Sequence, residues 1–133
     1  YMDRLVSQTE LILTNEPADI YANPTYLPED MQPDYDRYWT DERVDRVLDV
    51  LQRYDIALEI NARYRIPSFD IIRRARERGI RFTFGTNNVD ADFGRLEYCL
   101  EAVERCGLTA DDMWFPSMSV RRERPVVLYN RFD

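Results

Sequence analysis

The sequence predicts an α/β fold in which parallel strands alternate with helices. Three observations predict it. Short apolar runs at 19–22, 56–60 and 80–84 read as strands, amphipathic stretches stand before and after them, and cap residues punctuate the boundaries. Strands that alternate with helices pair in parallel through right-handed crossovers.

The elements follow in order. Asp3 to Asn15 reads as a helix with Leu5, Val6, Leu11, Ile12 and Leu13 as its apolar stripe, and Asp19-Ile20-Tyr21-Ala22 as a short strand. Asn23 to Trp39 holds Pro24, Pro28 and Pro33 together with Glu29, Asp30, Asp34 and Asp36. Proline removes backbone donors, so this stretch is expected to be a long loop, pinned to the body by Tyr26, Met31, Tyr35, Tyr38 and Trp39. Thr40 is a suitable N-cap, with Asp41 and Glu42 placed to meet the positive end of a helix whose inner face is Val44, Val47, Leu48, Leu51 and Tyr54. Ile56-Ala57-Leu58-Glu59-Ile60 is a buried type of strand. Ser68 caps the next helix, which turns Ile71, Ile72 and Ala75 inward and stops at Gly79. Ile80-Arg81-Phe82-Thr83-Phe84 is the third strand, and Asn87 to Asp92 a loop. Leu96, Cys99, Leu100, Val103 and Cys106 line a further helix ended by Gly107. Residues 113–133 form an atypical tail in which Val126 to Tyr129 is a candidate strand. Residues 1–133 are read as a single domain or as a portion of a larger one.

Composition excludes several chemistries. The net charge is −7, and the 18 basic residues are all arginines, with no lysine and no histidine. A histidine base, a Ser-His or Cys-His pair, a lysine Schiff base and an imidazole metal ligand are therefore ruled out within this chain. The acidic balance argues against a nucleic-acid partner, which requires a basic face. No run reaches the ~18 apolar residues of a membrane helix, so no membrane partner is expected. Cys99 and Cys106 stand seven apart on one helix, about 10.5 Å of rise. That exceeds the ~7 Å a disulfide tolerates between Cα atoms. Two unbridged thiols suit a reducing compartment such as the cytoplasm.

Ligands of parallel α/β sheets sit at the carboxyl ends of the strands. Three loops qualify: Asn23-Pro24-Thr25-Tyr26, Asn61-Ala62-Arg63-Tyr64-Arg65 and Thr86-Asn87-Asn88-Val89-Asp90-Ala91-Asp92. Asn23, Asn61 and Asn87 are expected to point into one shared cleft, with Asn88 and Asp90 beside them. Arg63 and Arg65 have the forked donors that clamp a phosphate or carboxylate, or else they are surface residues paired with acids. Asp90 and Asp92 are either oxygen ligands for a hard cation or solvated caps of the next helix. Glu59, an acid inside an apolar strand, is either a general acid or base tuned by burial or an outward residue satisfied by an arginine. Arg73, Arg74, Arg76, Arg78 and Arg81 read as a solvated helix face.

The run Ala18 to Pro24, then Ala57 to Asn61, then Arg78 to Thr86, resembles the PHP family, named for the polymerase and histidinol phosphatase domains that share it. The resemblance covers most of residues 10 to 112. It implies the C-terminal part of a distorted seven-stranded β/α barrel of the TIM-like kind, with a multinuclear metal site that hydrolyses phosphate esters. This chain departs from the family at the metal positions. Asn23-Pro24 stands where the family has His-Pro, and Thr86-Asn87-Asn88-Val89 where it has Ser-Asp-Ala-His; the family's His-x-His would lie upstream of Tyr1. Asparagine is a poor ligand and valine is none, so no tightly bound metal is expected despite the divalent ions the resemblance implies. The expected function is that of a PHP-like phosphoesterase portion with weak or no activity. The alternative is a degenerate barrel that binds a small anionic ligand or a partner protein without turnover. The open sheet edge of a part-barrel is expected to be covered by upstream chain or by a second copy.

Overall fold

A computed structural model describes residues 1–87 and 94–116. The element order is α1 (Met2–Asn15), β1 (Ile20–Tyr21), a 3-10 turn (Gln32–Asp34), α2 (Tyr35–Tyr38), α3 (Asp41–Tyr54), β2 (Ala57–Asn61), α4 (Phe69–Glu77), β3 (Phe82–Gly85), α5 (Glu97–Cys106) and a second 3-10 turn (Ala110–Asp112). The strands form a parallel three-stranded sheet in chain order, β1-β2-β3. The α/β alternation and the parallel pairing read from the sequence are present; the described residues hold three strands. The candidate strand at Val126 to Tyr129 lies outside the described residues.

Local chemistry sets the helix boundaries. The Thr40 side chain accepts from the Arg43 N–H, and Ser68 from the Ile71 N–H, closing the first turns of α3 and α4. Gly79 and Gly107 take φ of +75° and +65°, the left-handed geometry that lets the chain leave α4 and α5. Asp55 serves the same purpose after α3 with φ +54°.

Strand alternation divides the sheet into two faces. Leu58, Ile60 and Phe82 join the core formed with Val44, Val47, Leu48 and Leu51 of α3, Ile71, Ile72 and Ala75 of α4, and Tyr98, Cys99 and Ala102 of α5. Ala57, Glu59 and Asn61 alternate with them and face the other way. The register pairs Glu59 with Thr83 and Asn61 with Gly85, so all four belong to that second face. Ion pairs tie the helices on their outer surfaces: Arg46 to Glu10 across α3 and α1 at 2.6 Å, and Arg74 and Arg78 to Asp45 across α4 and α3 at 2.5 and 2.9 Å. Within the arginine run, Arg74 and Arg78 thus share Asp45, and Arg76 pairs with Asp112.

Three expectations need correction. The stripe of α1 is narrower than its apolar residues suggest, because Met2, Val6 and Leu13 are buried while Leu11 and Ile12 are 53% and 55% exposed. On α5, Leu100 is 62% exposed and Tyr98 and Ala102 take the inner positions. The long loop from Asn23 to Trp39 contains a 3-10 turn and the short helix α2. Met31, Tyr35 and Tyr38 pack on the core, and Trp39 is buried with its indole N–H donating to the Thr25 carbonyl at 2.9 Å. Tyr26 does not join the core; it is exposed and meets Tyr64.

Candidate functional site

The carboxyl ends of the three strands bring Asn23, Glu59, Asn61 and Asn87 into one hydrogen-bonded cluster. Asn61, the last residue of β2, has 0% of its surface exposed. Its amide nitrogen donates to Asn23 Oδ1 at 2.9 Å and to Glu59 Oε1 at 3.0 Å. Its oxygen accepts the Tyr64 N–H at 3.0 Å. The Asn87 amide also donates to Asn23 Oδ1, at 2.9 Å, and the Asn23 N–H donates to Glu59 Oε1 at 3.0 Å. Asn23 and Asn87 reach these positions in left-handed geometry, with φ of +47° and +45°, which asparagine tolerates better than most residues.

The direction of every amide follows from its neighbours. A backbone N–H such as that of Tyr64 can only donate, so Asn61 turns its oxygen to it and its NH2 group to the acceptor-only carboxylate of Glu59. Glu59 Oε1 is therefore satisfied by two amide donors, the Asn23 N–H and the Asn61 side chain. The same arrangement tests the divalent metal implied by the PHP resemblance. Among the described residues the donor set holds one carboxylate, Glu59, while Asn23 Oδ1 already receives two amide donors and Asn61 Oδ1 one backbone donor. That set, among the described residues, is poor in the several anionic or free oxygens a divalent cation takes. Among the described residues no three His, Cys, Asp or Glu side chains gather into a group able to hold a metal ion.

No family model, curated protein or solved structure matches the chain.

Beside the amide cluster lies a cavity of about 250 Å³ lined by Ala62, Arg63, Arg65, Thr86, Arg95, Glu97 and Tyr98. The predicted anion clamp, Arg63 and Arg65, is thereby joined by Arg95 at the foot of α5. Arg95 donates to Glu97 Oε1 at 2.8 Å. The Glu97 carboxyl is held below its usual range by its own backbone N–H and then by Arg95. Arg65 has φ +54° and lays its guanidinium over the Tyr98 ring, 4.9 Å from the centroid, while donating to Glu101 at 3.2 Å. Glu101 also holds Arg105 at 3.1 Å. Tyr98 is pushed above the usual phenol range by burial, so its hydroxyl stays protonated and donates to the Pro67 carbonyl at 2.5 Å.

Arg95, Tyr98 and Tyr35 were not singled out as site residues by the sequence, whereas Tyr26 and Thr86 belong to the strand-end loops it marked. Arg95 lies two residues before α5, and only the packing of α5 against β2 brings it beside Arg63. Asn88, Asp90 and Asp92 lie outside the described residues. No helix among the described residues is long and apolar enough to cross a membrane.

Proposed function

We propose that this chain forms part of a PHP-like β/α barrel of the phosphoesterase kind, whose strand-end site binds an anionic ligand rather than hydrolysing it. Support for the barrel comes from strand order. Three parallel neighbours in chain order, with the helical core on one face and a polar cluster on the other, follow barrel logic; a doubly wound sheet reverses order at its switch point. Completing such a barrel takes further strands, from polypeptide outside residues 1–133 or from a second copy of the chain.

The observation that carries the ligand-binding reading is the cavity holding Arg63, Arg65 and Arg95 beside the amide cluster, in a protein of net charge −7. Forked guanidinium donors match phosphate and carboxylate oxygens, and a local basic pocket on an acidic protein selects small anions over polyanions. Hydrolysis is disfavoured because Glu59 Oε1 is tied as an acceptor in the cluster and the described residues gather no metal-binding donor set to lower the pKa of a water.

The test is calorimetric titration of the chain with inorganic phosphate, together with hydrolysis of an aryl phosphate in added manganese. Saturable phosphate binding is expected, weakened about tenfold or more in Arg63→Ala, with hydrolysis at background. Robust turnover that vanishes in Glu59→Gln would overturn the binding-only reading and make Glu59 catalytic.

A further inference from the structure

Arg65 lines a second cavity as well. This one, of about 190 Å³, is formed by Tyr26, Leu27, Gln32, Tyr35, Tyr64, Arg65, Ile66 and Ser68. Its floor is apolar, because Leu27 and Ile66 are buried. One wall is aromatic: Tyr26 and Tyr64 meet edge to face, with centroids 4.9 Å apart. Both rings remain well exposed, 43% and 39%, so their free surfaces are available to a guest. Tyr35 closes the back. Its hydroxyl is fixed at 2.5 Å from Thr25 Oγ1 and accepts the Ser68 N–H at 3.2 Å, which keeps its polar end engaged. The cation in this lining is Arg65, and the same side chain belongs to the arginine cavity.

We infer that the two cavities take one ligand in two parts: an anionic group held by the arginines and a single ring or short branched chain seated among Tyr26, Tyr35 and Tyr64. This inference rests on the anion-binding reading above and names the ligand class of that site. Three features limit that class. The volume suits one ring, since a cavity of roughly 150 Å³ holds benzene. The apolar floor and the aromatic wall give dispersion and edge-to-face contacts rather than hydrogen-bond selection. Arg65 lines both cavities, so one side chain can reach both the anion and the ring. A small aryl phosphomonoester has this shape. Glu101, which holds Arg65 from outside, keeps Arg105 as a partner if Arg65 turns toward the ligand.

The experiment titrates the full 133-residue chain with inorganic phosphate, phenyl phosphate and phenol, and repeats the series on Tyr64→Ala and Arg63→Ala. Phenyl phosphate is expected to bind about tenfold more tightly than phosphate, the scale of one well-placed aromatic contact plus ring burial. Tyr64→Ala should erase most of that gain and leave phosphate affinity within about twofold, whereas Arg63→Ala should weaken both anions in parallel. Tyr64 is exposed, so its truncation leaves the core intact. Phosphate binding with no gain for phenyl phosphate, or a gain that survives Tyr64→Ala, would overturn the two-part ligand and leave the anion site standing. Failure of both anions to bind would remove the anion site and this inference with it.

Discussion

The carboxylate of Glu59 occupies the space that a β-carbon on Gly85 would need. A Cβ built there would lie 2.4 Å from Glu59 Oε2 and 2.5 Å from Cδ. Gly85 therefore serves by absence: the missing side chain lets Glu59 lean across the sheet and take the Asn23 N–H and the Asn61 amide on one oxygen. Gly85→Ala should displace the carboxylate and loosen both bonds, at a stability cost of about 1–2 kcal/mol. In a Glu59→Ala background the same substitution should cost almost nothing. A double-mutant cycle by urea unfolding checks this, and additive effects would contradict the contact.

Asn61 is the buried centre of the cluster, and Asn61→Asp puts a second carboxyl against Glu59. Burial and the like charge both raise the pKa of the introduced group in the folded state. A raised folded pKa means stability is retained below the unfolded value of about 4 and lost as pH rises past it. The variant should be close to wild type near pH 4 and weaker by about 3 kcal/mol at neutral pH. Denaturant unfolding at the two pH values distinguishes this from a deficit independent of pH.

Tyr35 gives the fold an alkaline limit. Burial pushes its phenol up to about 12, against hydrogen bonds from Thr25 and Ser68 that pull it down. The neutral phenol is favoured in the folded state, so the stability it contributes is complete below pH ~10 and is lost as pH rises from there to about 12. On the order of 2 kcal/mol should disappear over that window. Tyr35→Phe should cost about 1 kcal/mol at neutral pH, because the Ser68 N–H loses its acceptor, and should flatten the alkaline slope. Unfolding curves between pH 8 and 11.5 measure both.

Cys99 and Cys106 should be silent toward thiol reagents in the native protein. Both are buried, and burial raises both thiols, Cys99 to about 11. The Cys99 sulfhydryl donates to the Ile60 carbonyl at 3.2 Å, beneath the sheet. Only the thiolate attacks such reagents. An aromatic disulfide reagent should report no fast thiol in buffer and both after denaturation; rapid native labelling of either would contradict this placement.

Much of the framework was readable because short-range rules decide it. Thr40, Ser68, Gly79 and Gly107 mark helix ends through their own side chains or their own φ, and the strand runs at 56–60 and 80–84 differ from the helices in period. The gathering of Asn23, Asn61 and Asn87 follows from strand-end positions in a parallel sheet, which is a topological rule rather than a local one. What escaped depends on tertiary choices. Leu11, Ile12 and Leu100 have the hydrophobicity of core residues, and only the placement of neighbouring helices decides which of several apolar residues turns inward. Helix α2 hid in a proline-rich, acidic stretch whose local propensities favour a loop, and it forms where Tyr35 and Tyr38 pack on the core. Arg65 looked like half of a clamp with Arg63; its place in three cavities goes with a left-handed backbone that nothing in Arg-Tyr-Arg announces.

The two-faced sheet separates the apolar core from the polar cluster at the level of sequence parity. Along β2 and β3 the even positions 58, 60 and 82 hold the helical core, and the odd positions 59, 61, 83 and 85 write the polar surface. Thr83, half-buried and paired in register with Glu59, is the position on that surface engaged least by the amide cluster. Two short words thus carry two texts in alternate letters, one that packs the helices and one that links the three strand ends through Glu59 and the asparagines. Asn61 is where the two scripts cross, since it belongs to the polar surface and yet is as deeply enclosed as any core residue.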